Sequence, residues 1–307
     1  MAITEASDGQ RIDNFLVREL KGVPRSRIYR LLRKGEVRVN GKRVQPTYRL
    51  RPQDSVRLPP VRLDAPPVER TTLPDALVER LRQGILHEDE GLLVLNKPAG
   101  LAVHGGSGLR YGLIEALRMI RPNETFLELV HRLDRDTSGV LLIARKRSAL
   151  RDLHDLLRTG GVEKRYLVLL AGLLPEARVA VDAPLDRSEK AAGGQVRVKS
   201  GGKASRSEFR RLQVFRGPDC TLAEVEIDTG RTHQIRVHAA HIGRPVVGDA
   251  VYGDHGINKQ FRAIGLKRLF LHAQTLAFKA ANGEQHLFTA QLADDLRAVI
   301  DRLESPR

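Results

Sequence analysis

The stretch VHRLDRDTSGVLLIARK, residues 130–146, groups several side chains able to do chemistry. Asp134 and Asp136 stand two residues apart among His131, Arg132 and Arg135, and Thr137-Ser138-Gly139 follows. A single carboxylate held there can serve as a nucleophile or base. Two carboxylates facing one cleft could instead hold a metal ion for nucleic-acid hydrolysis. The flanking apolar runs, 127–130 and 140–144, read as strands, so the charged residues sit on a turn pinned at a sheet edge, which is the rigid support catalysis needs. Leu133 turns the chain inward beside Asp134 and makes Asp134 the aspartate for burial. Asp136-Thr137-Ser138-Gly139 has the composition of an exposed turn, and Asp136 is expected to brace it through an Asx bond.

A buried aspartate needs a cation within reach to stay charged. Neighbours on a strand point to opposite faces, so Arg132 and Arg135 are poor partners. The segment GRTHQIRVH supplies Arg231, at a strand-to-helix junction, as the expected partner. Other signatures fail. In GGKAS (201–205) Ala204 stands where a phosphate loop needs Ser or Thr, and the upstream glycine spacing is wrong. His233, His238 and His241 lack the further ligands that zinc requires, so no metal is expected. GGSG (105–108) is weak alone, and no GxSxG elbow exists.

The elements that must position these groups are legible in outline. The chain has 307 residues, 41% hydrophobic, 4% aromatic, with no Trp, so Leu, Val and Ile fill its core. The net charge is +15, which calls for a polyanionic partner. Residues 1–62 hold 15 Lys/Arg against 6 Asp/Glu, more than half of that excess. PPVRLDAPPVERTTLP (59–74), with five prolines, reads as an extended linker. Ahead of it, Ile12, Phe15, Leu16 and Leu20 share one helical face. Pro24 suits the first turn of a second helix, striped by Ile28, Leu31 and Leu32 and ended by Gly35. Arg25, Arg27, Arg30, Arg33 and Lys34 decorate that helix as a basic face for RNA. EVRVNGKRV then reads as a hairpin around Asn40-Gly41. Beyond the linker, strands are expected at 85–98 (two), 164–172, 221–230 and 268–278. Helices are expected at 112–120, at 148–159 with Ser148 as N-cap, and at 231–243. So many hairpin-like strands indicate an α+β fold. Cys220 is the only cysteine, which suits a reducing cytoplasm. The first residues carry no apolar signal core, and the longest apolar run, 167–174, is far short of the ~20 residues of a membrane helix.

Two resemblances follow from these motifs. GQRIDNFL with VPRSRIYRLLRKGEVRVNGKRV resembles the S4 RNA-binding domain, over roughly residues 9–60. NKPAGLAVHGG (96–106), HRLDRDTSG (131–139), EKRYLVLLAG (163–172) and GRTHQIRVHAAHIGRPVVGD (230–249), in that order, resemble the RluA family of pseudouridine synthases, over most of 85–290. The resemblance implies an S4 domain at 1–62, a Pro-rich linker at 63–84, and at 85–307 a catalytic domain on a mixed, largely antiparallel sheet. It implies isomerisation of uridine to pseudouridine, at several uridines of the 23S RNA of the large ribosomal subunit, with Asp134 as the essential carboxylate, by covalent attack or by a glycal route. By the same resemblance Tyr166 stacks on the uracil, Lys164 belongs to the same KxY motif, and Arg132 flips the target base; a charged Asp134 fits the Arg231 pair read above. Ile235 and Val237 add apolar walls. No cofactor, no membrane and no obligate protein partner is implied, and a cytoplasmic monomer is expected. Two other readings stand beside it: a non-catalytic RNA-binding or ribosome-assembly protein, and the carboxylate-pair hydrolase.

Overall fold

The computed structural model describes residues 1–20, 23, 25–59, 72–105, 111–187 and 195–305, without the side chains of Ala6, Arg25, Ser26 and Arg187. Pro24, the Arg25 side chain, most of the Pro-rich stretch (60–71), Gly106–Gly108 of the GGSG run and residues 188–194 therefore lie outside the described residues. The chain divides into two compact units, Met1–Thr72 and Leu73–Arg307.

In the first unit, α1 (Ile12–Glu19) and α2 (Arg25–Lys34) precede two short paired strands, β1 (Arg38–Val39) and β2 (Val56–Arg57). The apolar faces read from sequence are the faces buried: Ile12, Phe15, Leu16, Ile28, Leu31 and Leu32 form the core. Gly35 ends α2 at φ 71°, the left-handed conformation a helix stop uses. Asn40 and Gly41 make the tight turn expected of them, with φ of 50° and 75° and reciprocal bonds between Val39 and Lys42. The strand partner differs from expectation. β1 pairs with residues 56–57, because the Asn40 amide reaches across to the Asp54 carboxylate (2.8 Å) and the Ser55 N–H (2.8 Å).

The second unit opens with α3 (Asp75–Gln83), within the stretch the sequence assigns to the linker. Leu77 and Leu81, four apart, form its apolar stripe, and Leu81 is fully buried in the core. Then come β3 (Ile85–Glu88), β4 (Leu92–Lys97), α4 (Leu113–Ile120), β5 (Glu128–Leu129), β6 (Ser138–Ala144), α5 (Arg147–Thr159), β7 (Val162–Ala171), β8 (Arg178–Asp182), β9 (Leu185–Arg187), β10 (Val196–Val198), β11 (Arg206–Phe215), β12 (Cys220–Ile227), α6 (Gln234–His241), α7 (His255–Ala263), β13 (Leu271–Lys279), β14 (Gln285–Thr289) and α8 (Asp294–Glu304). The N-cap of α5 is Lys146, not Ser148, which lies inside the helix. α6 begins at Gln234, three residues after the expected start.

Among the described residues, one ten-stranded sheet runs β3-β4-β6-β13-β7-β12-β11-β8, with β14 on β13 and β5 on β6. Every pairing in it is antiparallel except β6 with β13. The fold is α+β with a mixed, largely antiparallel sheet. All seven residues of β6 are buried, as expected for a central strand covered on both faces. At its start Gly139, at φ 115°, lies so close to Ala273 that an added Cβ would fall 2.1 Å from the Ala273 carbonyl oxygen. Only glycine permits this approach, and the residues just before it are thereby anchored to the centre of the sheet.

Candidate active site

The turn 131–137 leads into β6. Its backbone closes by the Thr137 N–H donating to the Asp134 carbonyl (3.2 Å). Leu133 is buried and packs in the main core. The Leu142 N–H donates to His131 Nε2 (3.2 Å), and burial pushes the His131 pKa down to about 4, so this ring is neutral. Behind the turn the His272 ring is fully buried. Its Nε2 lies 3.1 Å from the Ala290 carbonyl, which can only accept, so the ring nitrogen donates there. Nδ1 is then left to accept from the Ser138 hydroxyl (2.9 Å). Asp136 does not take the Asx brace the sequence assigns it. Its half-exposed carboxylate holds the Arg135 guanidinium (3.1 and 3.3 Å), and backbone closes the turn instead.

Asp134 points to the other side, and its partner corrects the sequence expectation. Arg236, not Arg231, pairs with it: Arg236 Nη1 donates to Asp134 Oδ2 at 3.3 Å. The reason is the helix start. Arg231 precedes α6, and its Nε donates to the Ala204 carbonyl (3.2 Å). His233 takes the left-handed conformation (φ 56°, ψ 19°) as N-cap, and Arg236 then falls on the first turn facing Asp134. Arg236 is itself held by Asp249, whose side chain is wholly buried. Nε and Nη2 donate to the two carboxylate oxygens at 2.7 and 2.8 Å, and the Val251 and Tyr252 N–H groups add two more bonds to Oδ1. Burial pushes Asp249 up, but these bonds and the Arg236 charge outweigh it and hold its pKa below the ordinary carboxylate range. The Tyr252 ring lies 5.0 Å from the guanidinium carbon. Gln234 locks the approach: Oε1 accepts from Thr229 Oγ1 (2.7 Å) and the Arg231 N–H (3.1 Å), while Nε2 donates to the Arg206 carbonyl (2.8 Å) and Ser207 Oγ (3.1 Å).

A small cavity opens onto Asp134. Arg132, Thr137, Tyr166, Arg231, His233, Ile235 and Arg236 are among its walls. Tyr166 comes from β7, opposite Val225 and Ala273, with its ring buried and its phenol pushed well above the ordinary range by burial and by Asp134. Arg132 is exposed at the rim and also lines a larger open groove that shares Asp134, His233 and Arg236 with the cavity. Lys164 is buried two residues before Tyr166 but is not part of the cavity wall. Val237 faces the β9–β10 hairpin instead, packing with Leu185 and Val196. His238 is buried with Nε2 against the Ala183 carbonyl (2.9 Å) and Nδ1 against Ser207 Oγ (2.9 Å), so it pins α6 to the sheet. Among the described residues no group of three or more His, Cys, Asp or Glu is arranged to hold a metal ion. In the first unit Arg27, Arg30, Arg33 and Lys34 are all exposed along α2.

Sequence reasoning missed Asp249, Gln234, His233 as a wall residue, and Lys97. Lys97 ends β4 fully buried, and its ammonium donates to the carbonyls of Pro98 (2.9 Å), Leu101 (2.8 Å) and Arg135 (3.0 Å). It thereby ties the 97–101 loop to the Asp134 turn. Burial lowers its pKa from 10.5 to about 7, although Asp136 and Asp134 favour the charged form. Between about 7 and 10.5 the unfolded chain binds a proton that the folded one does not, so this group makes stability rise with pH across that window. Denaturant unfolding of wild type and Lys97→Met should therefore differ by an amount that moves in the wild type's favour as pH rises. A pH-independent difference would remove the Lys97 charge from the account.

With this geometry in place, comparison with known proteins is direct. Residues 91–241 match the family model described as RNA pseudouridylate synthase, and residues 10–56 match the S4 domain. The chain is 48% identical to the ribosomal large subunit pseudouridine synthase C of Haemophilus influenzae, covering 100% of this chain and 95% of that protein. It is 49% identical to the protein of the same name in Escherichia coli strain K12, over 100% of this chain and 97% of that one. Among solved structures, human RNA pseudouridylate synthase domain containing 4 aligns with a TM-score of 0.62 at 25% identity, covering 76% of this chain and 98% of that chain. Human RNA pseudouridylate synthase domain containing 1 aligns at 0.60 and 27% identity, covering 72% and 88%.

Proposed function

The chain belongs to the RNA pseudouridylate synthase family, and from that premise we propose that it isomerises uridines of large-subunit ribosomal RNA, with Asp134 as the working carboxylate. The observation that carries the site is the Asp134–Arg236–Asp249 arrangement at the end of a walled cavity. A cation shared between two carboxylates keeps Asp134 oriented without closing over it. The RNA target follows from the relatives named for the large ribosomal subunit, whose likeness spans the whole chain.

Each wall residue then has a task. The C1′–N1 bond of uridine breaks, the base turns while held, and C5 bonds to C1′. Asp134 acts at the ribose, as nucleophile or as the base of a glycal route. Tyr166 offers a buried ring face to a base that is for a moment unattached, and aromatic–base stacking is worth about 1–3 kcal/mol. Base extrusion costs a few kcal/mol, and Arg132 at the rim supplies a planar cation to fill the vacated place and meet phosphate. Arg231, exposed at the mouth, serves as a phosphate contact in place of the carboxylate partner the sequence made it. All atoms of the substrate are conserved, so the chemistry balances with no redox equivalent, and the protein acts as a cytoplasmic monomer.

The test is genetic. Deleting the gene in its host should remove pseudouridines from large-subunit RNA, mapped by carbodiimide-stop sequencing, and the full chain should restore them. A map unchanged by deletion overturns the proposal. The S4 unit carries a separate expectation. Phosphate contacts release counterions, so Arg27→Glu with Lys34→Glu should weaken RNA binding and reduce the slope of log affinity against log salt by roughly 2. A salt series with unchanged affinity and slope would take α2 out of the interface.

A further inference from the structure

Isomerising uridine to pseudouridine moves one proton. When C5 of the detached base bonds to C1′, C5 still carries its hydrogen and the ring holds a C6=N1 double bond. To reach product the C5–H bond must break, its electron pair becoming C5=C6, while the C6=N1 pair moves onto N1 and N1 gains a proton. One proton thus travels from C5 to N1, with no net gain or loss. A positioned base accelerates such a transfer by roughly 10²–10⁴-fold.

The described cavity walls leave few groups able to take that proton. Arg132, Arg231 and Arg236 have no acceptor site. Tyr166 is a buried phenol that stays protonated. Asp134 acts on the ribose in the preceding steps and is released when C5 bonds to C1′, so it is the rival acceptor, its Oδ2 already facing Arg236 Nη1 at 3.3 Å. The remaining titratable wall residue is His233. Its Nε2 lies 3.8 Å from Asp134 Oδ2, and its Nδ1 lies 2.9 Å from Tyr252 Oη. Tyr252 Oη is itself fixed, accepting from the Val196 N–H at 3.0 Å. The tautomer with its hydrogen on Nδ1, donated to Tyr252 Oη, leaves the Nε2 lone pair for a substrate proton; the other accepts from the Tyr252 hydroxyl and turns Nε2–H toward Asp134.

The backbone supports the same aim. His233 is one of three non-glycine residues at positive φ among the described residues. As N-cap His233 makes no side-chain bond to its helix, and its ring goes to Tyr252 and Asp134. Left-handed backbone at a cavity wall that directs a side chain inward is a place where strain serves a site. The charges facing the ring are Asp134 and Asp249, which favour imidazolium, and Arg236 and Arg132, which oppose it. Burial is the largest influence, and the net effect holds the ring below its ordinary pKa and so neutral at physiological pH.

We propose that His233 is a catalytic proton carrier in this reaction, its Nε2 taking the proton from C5 and returning it to N1. This rests on Asp134 being the site of isomerisation. The experiment uses full-length enzyme and an RNA transcript deuterated at uridine C5. His233→Gln should lower kcat by about 10²-fold or more with KM little changed, and should expose a primary deuterium isotope effect on kcat that the wild type lacks. The wild-type rate should fall as pH drops through the histidine pKa, and the variant should lose that limb. A His233→Gln enzyme with wild-type kcat, or one slowed without a C5 isotope effect, overturns the proposal. If that variant does not fold, Tyr252→Phe decides: it keeps the ring but frees Nδ1, and a wild-type rate with no isotope effect is equally fatal. Asp134→Asn separates the two ideas. An active Asp134→Asn enzyme sinks the site itself, whereas a dead one beside an unaffected His233→Gln enzyme sinks only the proton carrier.

Discussion

Asp134→Asn is expected to give a folded protein that binds RNA and makes no measurable pseudouridine, with kcat lowered at least ~10⁴-fold, as for loss of a nucleophile. The substitution keeps shape and removes charge. It does not orphan Arg236, which retains its two bonds to Asp249 at 2.7 and 2.8 Å. Stability should therefore move by less than about 1 kcal/mol. The contrast is Asp136→Asn. That carboxylate is 44% exposed, and among the described residues its hydrogen-bond partner is the Arg135 guanidinium. Exposed pairs of this kind contribute about 0–1 kcal/mol, so stability and rate should both stay near wild type. Single-turnover kinetics on one transcript measure both variants together. Equal damage from the two would restore the carboxylate-pair reading, and an active Asp134→Asn enzyme would end the single-carboxylate one.

The two aspartates were separable in sequence because burial is local: Leu133 next to one, a turn composition around the other. The helix faces of the first unit were legible for the same reason, since Ile12, Phe15 and Leu16, or Ile28, Leu31 and Leu32, need only a 3.6-residue period to be found. The strands around Glu90-Gly91 and the buried run of β7 read equally well. What failed is what depends on position in space. Asn40-Gly41 announces a turn, but nothing nearby says that the strand partner is at 56–57. GRTHQIRVH contains two arginines, and choosing between them requires the start of α6 to within one residue. The left-handed His233 sets this start, a conformation uncommon outside glycine, though histidine takes it more readily than most, and nothing in the local sequence announces it. Asp249 carried a weak signal, an acid inside the apolar run RPVVGDAVYG, but its partner lies 13 residues back and across a helix. Lys97 stood in a quoted motif, yet a lysine at the end of an apolar strand reads as a solvated end. Only the three carbonyls around its ammonium reveal it as an internal clasp.

Arg236 and Arg231 give the sharpest test of that correction, because the two readings predict opposite results. If Arg236 is the shared cation, Arg236→Ala leaves Asp249, with 0% of its side chain exposed, as a charge without its counter-ion. Breaking a buried pair from one side costs about 3–5 kcal/mol, so a large loss in denaturant midpoint is expected along with loss of activity. Arg236→Lys keeps the charge but cannot make the forked contact, so it should recover stability only in part. The double change Arg236→Met with Asp249→Asn removes both buried charges while the Asn carbonyl still accepts from the Val251 and Tyr252 N–H groups, so it should be more stable than Arg236→Ala while remaining inactive, since Asp134 then lacks its cation. Arg231→Ala loses one bond from an exposed side chain to the Ala204 carbonyl. Its stability should change by less than about 1 kcal/mol, and its defect should appear in RNA affinity and salt dependence rather than in the chemical step. Equal destabilisation of Arg231→Ala and Arg236→Ala, or a stable and active Arg236→Ala enzyme, would return the aspartate's partner to the place the sequence first put it.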